Sequence, residues 1–337
     1  MIRHTCSALL LGLAAASAPA AEVGNPFVDN WALTIPGGGA GWLGVTQQKG
    51  YYDAGVLWGG GSVMQVDSVF FSDEKDTLYV SRINEVKRKD AGGKVIRTHR
   101  IPEVIMAKVE GDTLVLTRLI PREDGEGIRR EEFTGKRMPA TPPAPDLSRV
   151  KYGEPQSLFN GKDLSGWRLT DSHQINGWSA EDGILINRPV QEEGKPHKAY
   201  GNLRTDREFE DFNLTLEVRL SPKGNSGIYL RGIYEVQVAD TFGRGLDSHN
   251  MGGVYSRITP TEAAEKPAGE WQTMDITLVD RHVTVILNGK KIIDNKPLLG
   301  CTGGALWSDV LRPGPLYLQG DHTGVEYRNI VLRPVVK

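Results

Sequence analysis

Between Phe212 and Leu220 apolar and polar residues alternate without a break. Leu214, Leu216, Val218 and Leu220 fall on one side, and Asn213, Thr215, Glu217 and Arg219 on the other. Successive side chains of an extended strand point to opposite faces, so a run of period two can bury its apolar set only as part of a sheet. The same period returns at Met274, Ile276 and Leu278. Val283, Val285 and Leu287 then run into Asn288-Gly289, with Ile292 and Ile293 beyond; Asn-Gly suits the two positive-φ positions of a type I′ hairpin turn. No segment carries a convincing helical period. The 40 glycines in 337 residues fit a turn-rich protein. The expected fold class is all-β.

A chain of this length is expected to hold two units. Residues 27–134 contain short apolar or alternating runs: Trp31 to Ile35, Gly41 to Val45, Ala54 to Trp58, Thr77 to Ile83 and Asp112 to Leu119. Glycine-rich or acidic turns separate them, so about eight or nine strands are expected in a small antiparallel barrel or sandwich. Gly37 to Gly39 and Gly59 to Gly61 could admit a ligand, but turns and bulges are the favoured reading. Residues 136–155 carry Pro139, Pro142, Pro143, Pro145 and Pro155 among polar residues. Proline has no N–H for a sheet ladder, so this reads as an extended, semi-rigid linker. Residues 156–337 read as a sandwich of two sheets able to fold without the first unit.

The first residues read as an export signal. Arg3 and His4 form a positive start, Ala8 to Ala16 an apolar stretch too short to span a bilayer, and Ala18-Pro19-Ala20 a cleavage site. Residues 1–20 are therefore expected to be removed, for a periplasmic or secreted product without membrane insertion. Removal of Cys6 leaves Cys301 as a lone thiol, expected to be a buried small hydrophobe. A net charge of −2 and a pI near 6.4 supply no basic footprint, which argues against nucleic acid as a partner.

The segment Asn225 to Asp240, NSGIYLRGIYEVQVAD, reads as two short strands and a tight turn. Ile228, Leu230, Val236 and Val238 would face the core. Tyr229, Arg231, Glu235 and Gln237 would share the opposite face, with Asp240 at the strand end. A guanidinium, a carboxylate, an amide and a phenol together offer donors and acceptors suited to a polyhydroxylated ligand. The bland alternative is an ordinary cross-strand salt bridge between Arg231 and Glu235.

This segment resembles the signature of the 3-keto-disaccharide hydrolase family, whose fold is related to concanavalin-like lectins and glucanases. LFNGKDLSGWRL (Leu158 to Leu169), AGEWQTMDITLVD (Ala268 to Asp280) and LYLQGDHTGVEYRNIVL (Leu316 to Leu332) agree with it in order and spacing, so the resemblance covers residues 157–333. It implies a concanavalin-like two-sheet jelly-roll sandwich whose concave polar face binds sugar. It also implies a substrate with a ketone at C3 of the sugar ring. That ketone acidifies the C2 hydrogen, so a base can remove it and the C1 substituent can leave by β-elimination, with or without later addition of water. Such a site needs a base, a clamp for the enolate oxygen and a proton donor for the leaving oxygen.

Arg231 is the candidate clamp, Glu235 the candidate base or orienting group, and His249 and His322 the candidate proton carriers. Asn225, Tyr229, Gln237, Asp240 and Gln319 are candidate substrate-binding residues. No cofactor is evident. Glu235, Asp240, Asp247 and His249 offer an oxygen-rich alternative as a divalent-cation site, although their spacing matches no EF-hand or zinc motif. The ExDxxE strand motif of laminarinase-type enzymes is missing from this segment; the nearest acids, Glu262 and Glu265, lie in a polar loop. A carbohydrate-binding protein without chemistry, using the same polar face, is the alternative from another functional class.

Overall fold

The regular structure of the described residues is antiparallel β, apart from one 3-10 turn, Leu147–Arg149. The computed structural model describes residues 25–192 and 194–336. The export signal expected in residues 1–20 lies outside them. No helix among the described residues is long and apolar enough to cross a membrane.

Residues 30–137 form a nine-stranded sheet in which Asn30–Thr34 pairs with Ala40–Gln47 on one side and Ile128–Arg137 on the other. Two runs of consecutive hairpins therefore meet at the first and last strands. The sheet curls until Ser68–Phe71 contacts Tyr52–Trp58, enclosing Trp31, Leu33, Leu43, Val56, Leu78 and Leu114.

Beyond residue 155 two further sheets face each other. Phe212–Leu220 lies in the eight-stranded sheet between Gln272–Val279 and Val325–Pro334, and its burial alternates along its whole length as the sequence period demands. Asn288 and Gly289 turn the next hairpin with φ of 50° and 83°, the left-handed pair that a type I′ turn requires. The five-stranded sheet runs in the order Trp167–Leu169, Leu203–Thr205, Tyr317–Leu318, Asn225–Leu230, Tyr234–Ala239. Its inner face packs Ile228, Leu230, Val236 and Val238 into one core with Leu214, Ile276 and Val285 of the other sheet. Each such aliphatic side chain contributes about 1.5–3 kcal/mol by leaving water.

The nine-stranded sheet is pressed against this sandwich. Trp42, Leu57 and Met138 belong to the sandwich's hydrophobic core, not to that of their own sheet. Trp42 lies over Gly300, where a Cβ would come within 2.4 Å of the indole, and under the Arg257 guanidinium, 4.4 Å from the ring centroid. The proline-rich segment also runs along the sandwich: Arg281 donates to the carbonyl of Ala140, and Asn295 Nδ2 to that of Pro145 at 2.9 Å. Cys301 is buried here, and burial pushes its thiol up to about 11.

Loss of a buried tryptophan typically costs about 3–5 kcal/mol, and each kcal/mol moves the midpoint of a unit this size by about 2–4 °C. Residues 150–337 expressed alone are therefore expected to unfold cooperatively, with a Tm roughly 10 °C below that of the full chain. Calorimetry on both proteins checks this; a fragment with no cooperative transition would show that the two units share an indispensable core.

Candidate active site

The face of the five-stranded sheet that turns away from the core carries Asn202 and Arg204, Tyr317 and Gln319, Asn225, Gly227 and Tyr229, and Glu235 and Gln237, two apart along each strand line. Nearly every position is polar. The face is nonetheless sealed: Tyr229, Glu235 and Gln237 are only 1%, 3% and 4% exposed. Residues outside the sheet satisfy the backbone of its outermost strand. Thr302 Oγ1 accepts the Glu235 N–H at 2.9 Å, the Tyr255 N–H reaches the Glu235 carbonyl at 3.0 Å, and the Gln237 N–H reaches Gly253 O at 2.8 Å.

Tyr229 and Glu235 are direct cross-strand partners. Gly227 lies diagonally across, and a Cβ there would come within 2.2 Å of Glu235 Oε1, so the carboxyl occupies space that only glycine leaves. The Tyr229 ring stacks on Tyr317 with centroids 3.9 Å apart and planes 7° from parallel. Its oxygen lies 2.9 Å from Glu235 Oε2 and 2.7 Å from the Gly303 carbonyl. A phenol has one proton and a carbonyl has none. If Tyr229 donates to Gly303, the contact with Glu235 is a hydrogen bond only when the carboxyl itself carries a proton.

Burial independently favours the protonated carboxyl. Burial pushes the Glu235 carboxyl up to about 8, against opposing contributions from Tyr229 and from the positive charge of His322. Desolvation of the charged form is the dominant cause. Burial, with Tyr317 and Glu235 as neighbours, likewise holds the Tyr229 phenol well above its ordinary range.

His322 Nδ1 lies 2.8 Å from Asp321 Oδ1. This hydrogen bond, outweighing partial burial, raises the imidazole above its ordinary value. Burial opposes ionisation of Asp321, but the hydrogen bond and charge of His322 prevail and hold its carboxylate below the usual range. With Nδ1–H committed to Asp321, the neutral ring offers its Nε2 lone pair. Asp321, His322, Glu235, Tyr229, Tyr317, Asn202, Asn225 and Gln319 line one pocket of about 240 Å³, together with Gly60, Gly61, Tyr255, Gly303 and Gly304. Gln319 Oε1 is buried without a partner, an acceptor available to a hydroxyl donor. In this sugar-sized pocket a neutral Glu235 carboxyl can donate a proton, and the carboxylate-backed His322 can accept one in its unprotonated form.

The other expected residues are placed differently. Leu230 pairs with Tyr234, so the hairpin turns over Arg231, Gly232 and Ile233, with φ of 54° and 69° at the first two. The left-handed start of the turn takes Arg231 off the Tyr229 face. Its guanidinium is buried elsewhere, donating to the carbonyls of Val310 at 3.0 Å and Arg312 at 2.5 Å. Arg231 is not brought to the pocket, and neither the enolate clamp nor the Arg231–Glu235 salt bridge is formed. His249, Gln237 and Asp240 line a neighbouring pocket of about 560 Å³, which shares Asn225 and Tyr255 with the first. Asp240 there accepts the N–H of Lys223 at 2.7 Å, and Gln237 Oε1 that of Val238 at 3.1 Å. Among the described residues no three His, Cys, Asp or Glu side chains converge to hold a metal, so Glu235, Asp240, Asp247 and His249 do not assemble into a cation site.

Asn202, Tyr255, Tyr317 and Asp321 were not singled out by sequence reasoning. Tyr317 and Asp321 were within reach of it, since Tyr317 alternates with Gln319 and Asp321 adjoins His322. Asn202 and Tyr255 gave no local signal, while Gly60 and Gly61, for which turns and bulges are the favoured reading, line the pocket.

A sequence profile described as the 3-keto-alpha-glucoside-1,2-lyase-like domain matches residues 154–333. A 3-keto-disaccharide hydrolase of Bacteroides thetaiotaomicron is 26% identical over 166 residues, 41% of this chain. The chain spans 57% of the length of that relative. Two crystal structures from Parabacteroides distasonis, provisionally named glycosyl hydrolases, are also similar. One is 28% identical with a TM-score of 0.42, covering 57% of this chain and 93% of its own. The second is 21% identical with a TM-score of 0.42, covering 54% and 94%.

The raised pKa of Glu235 makes folding stability depend on pH with no substrate bound. In the unfolded chain this carboxyl loses its proton in the ordinary carboxylate range, and in the folded protein at about 8. The folded state therefore holds one more proton across that interval. Its stability falls as pH rises through it, by about 1.4 kcal/mol per pH unit, until the loss is complete above the folded value. Glu235→Gln, which cannot ionise, is expected to flatten this slope and to melt above the wild type at alkaline pH. Melting curves of both proteins across the interval check it; parallel curves would mean that Glu235 is ionised in the folded protein at neutral pH.

Proposed function

Since the chain belongs to the 3-keto-alpha-glucoside-1,2-lyase-like family, matched over residues 154–333, we propose that it is a glycoside-cleaving enzyme acting on sugars already oxidised to the ketone at C3. The observation that carries this reading is the pairing, in one pocket, of a carboxyl kept protonated by burial with an imidazole backed by a carboxylate. Elimination at a 3-keto sugar needs those two groups at the same pH, one to accept a proton and one to give one.

In the proposed sequence His322 Nε2 accepts the C2 hydrogen as a proton. The C–H electron pair moves into a C2–C3 double bond and the ketone oxygen becomes an enolate. Asp321 stabilises the imidazolium through Nδ1. The amides of Asn225 and Gln319 hold the ring hydroxyls and the ketone oxygen. The enolate then collapses: its electrons form the C1–C2 double bond, the bond from C1 to the leaving oxygen breaks, and Glu235 protonates that oxygen. The products are an enone and an alcohol, and later addition of water at C1 would make the net reaction a hydrolysis. Tyr229, Tyr317 and Gly227 act by holding Glu235 in a dry site, where its neutral form is favoured. Export to the periplasm or exterior is part of the proposal and draws on the composition of residues 1–20.

The test varies the leaving group. A methyl 3-keto-glucoside and a 4-nitrophenyl 3-keto-glucoside are compared with their unoxidised parents, which should be essentially inert. Glu235→Gln is expected to lose on the order of a hundredfold to ten-thousandfold on the methyl substrate. It should recover most of that loss on the nitrophenyl substrate, whose oxygen departs without a proton. Equal turnover of the parent glucosides, or equal losses on both leaving groups, would refute the scheme.

A further inference from the structure

The pocket around Glu235 is not made by the sandwich alone. Gly60 and Gly61, in the loop that follows Tyr52–Trp58 of the nine-stranded sheet, line it alongside Glu235, Tyr317 and His322. Several contacts fix that loop onto the sandwich. The Gly304 N–H reaches Gly59 O at 3.2 Å, and the Val63 N–H reaches Ser256 Oγ at 2.8 Å. Gly303 passes so close that a Cβ on it would come within 2.0 Å of Gly61 O. The same Gly303 carbonyl receives the Tyr229 phenol, so the loop packs directly behind the group that holds Glu235.

Between Gly61 and Val63, Ser62 touches two residues that line the pockets. Its Oγ lies 2.9 Å from His249 Nε2 and 3.5 Å from Tyr255 Oη. Tyr255 lines both pockets, His249 lines the larger one, and the two rings meet edge to face at 4.8 Å and 87°. The larger pocket adds Phe242, which is 55% exposed, and the polar groups of Lys223, Asp240 and Arg244. An exposed aromatic ring bordered by donors and acceptors suits a second sugar ring, which stacks its apolar face and pairs its hydroxyls.

We propose that residues 59–63 are the element that sets leaving-group specificity. The loop walls the pocket for the keto-sugar ring, and Ser62 is a positioning residue that holds His249 and Tyr255 as the near side of a subsite for the leaving sugar. The proposal rests on the reading of the preceding subsection and names its substrate class: a disaccharide whose oxidised ring enters the smaller pocket and whose second ring lies against Phe242. The specificity element thus comes from outside the matched family region of residues 154–333.

The test uses the full chain with two substrates, a methyl 3-keto-glucoside and a 3-keto-disaccharide. Ser62→Ala is expected to lower kcat/KM on the disaccharide about tenfold more than on the methyl glycoside, mainly through KM, as the loss of one positioning hydrogen bond would. Ser62→Thr, which keeps the hydroxyl, should restore most of the ratio. A Cβ at Gly60 meets nothing within 4 Å and its φ lies outside the left-handed region, so Gly60→Phe should fold with a wild-type Tm. It is expected to lower kcat/KM on both substrates tenfold or more. A Ser62→Ala protein with wild-type selectivity, or a Gly60→Phe protein with wild-type activity, would overturn the proposal while leaving the elimination scheme standing. If the wild type turns over neither substrate, calorimetric binding of the unoxidised disaccharide decides. Weaker binding by both variants upholds the loop as a sugar-contacting element without the proposed chemistry, and unchanged binding overturns it.

Discussion

The pocket depends on one unfavourable placement, a carboxyl group sealed into a sheet face at Glu235. A charged carboxylate there would lack the solvent it needs, so the proton stays on until the pH reaches about 8. The surroundings are arranged around that fact. Gly227 leaves the space, and the Tyr229 phenol, which can accept as well as donate, lies within hydrogen-bond distance of both the carboxyl and the Gly303 carbonyl. Nearby His322 is also raised, by its hydrogen bond to Asp321 where Glu235 is raised by burial, so the two groups hold their protons for different reasons.

Sealing requires a cover, and the cover comes from outside the sheet. Residues near Thr302 and Tyr255 close the hairpin's backbone, and the loop at Gly60 and Gly61 closes the pocket from the nine-stranded sheet. The contact between the units is correspondingly intimate. Trp42 lies on the bare backbone of Gly300, and Gly303 packs on the backbone of Gly61, approaches that a side chain at Gly300 or Gly303 would block.

Much of the sandwich was legible because a period of two has a single structural meaning: Phe212–Leu220, Gln272–Val279 and the Asn288–Gly289 turn all follow their patterns. Within the site, Tyr229, Glu235, Gln319 and His322 were legible for the same reason or from their neighbours. Arg231 was misplaced because alternation was carried one residue too far; the turn begins after Leu230, and a left-handed φ at Arg231 redirects the side chain. The burial of Glu235 was not legible at all. It depends on Tyr255, Thr302 and Gly303 downstream and on Gly60 and Gly61 far upstream, and no local pattern encodes which loop will cover a sheet face. The glycines at Gly59 to Gly61 read as turn residues, and they are; their second role exists only in the packed molecule.

The protonation of Glu235 is the claim on which the rest stands, and infrared spectroscopy reads it directly. A protonated carboxyl has a carbonyl stretch distinct from the carboxylate bands, and the difference spectrum between wild type and Glu235→Gln isolates it. The band is expected to persist through neutral pH and to vanish with a midpoint of about 8. A band already lost at mildly acidic pH would mean that Glu235 is an ordinary ionised carboxylate, and the assignment of acid and base in this pocket would have to be abandoned.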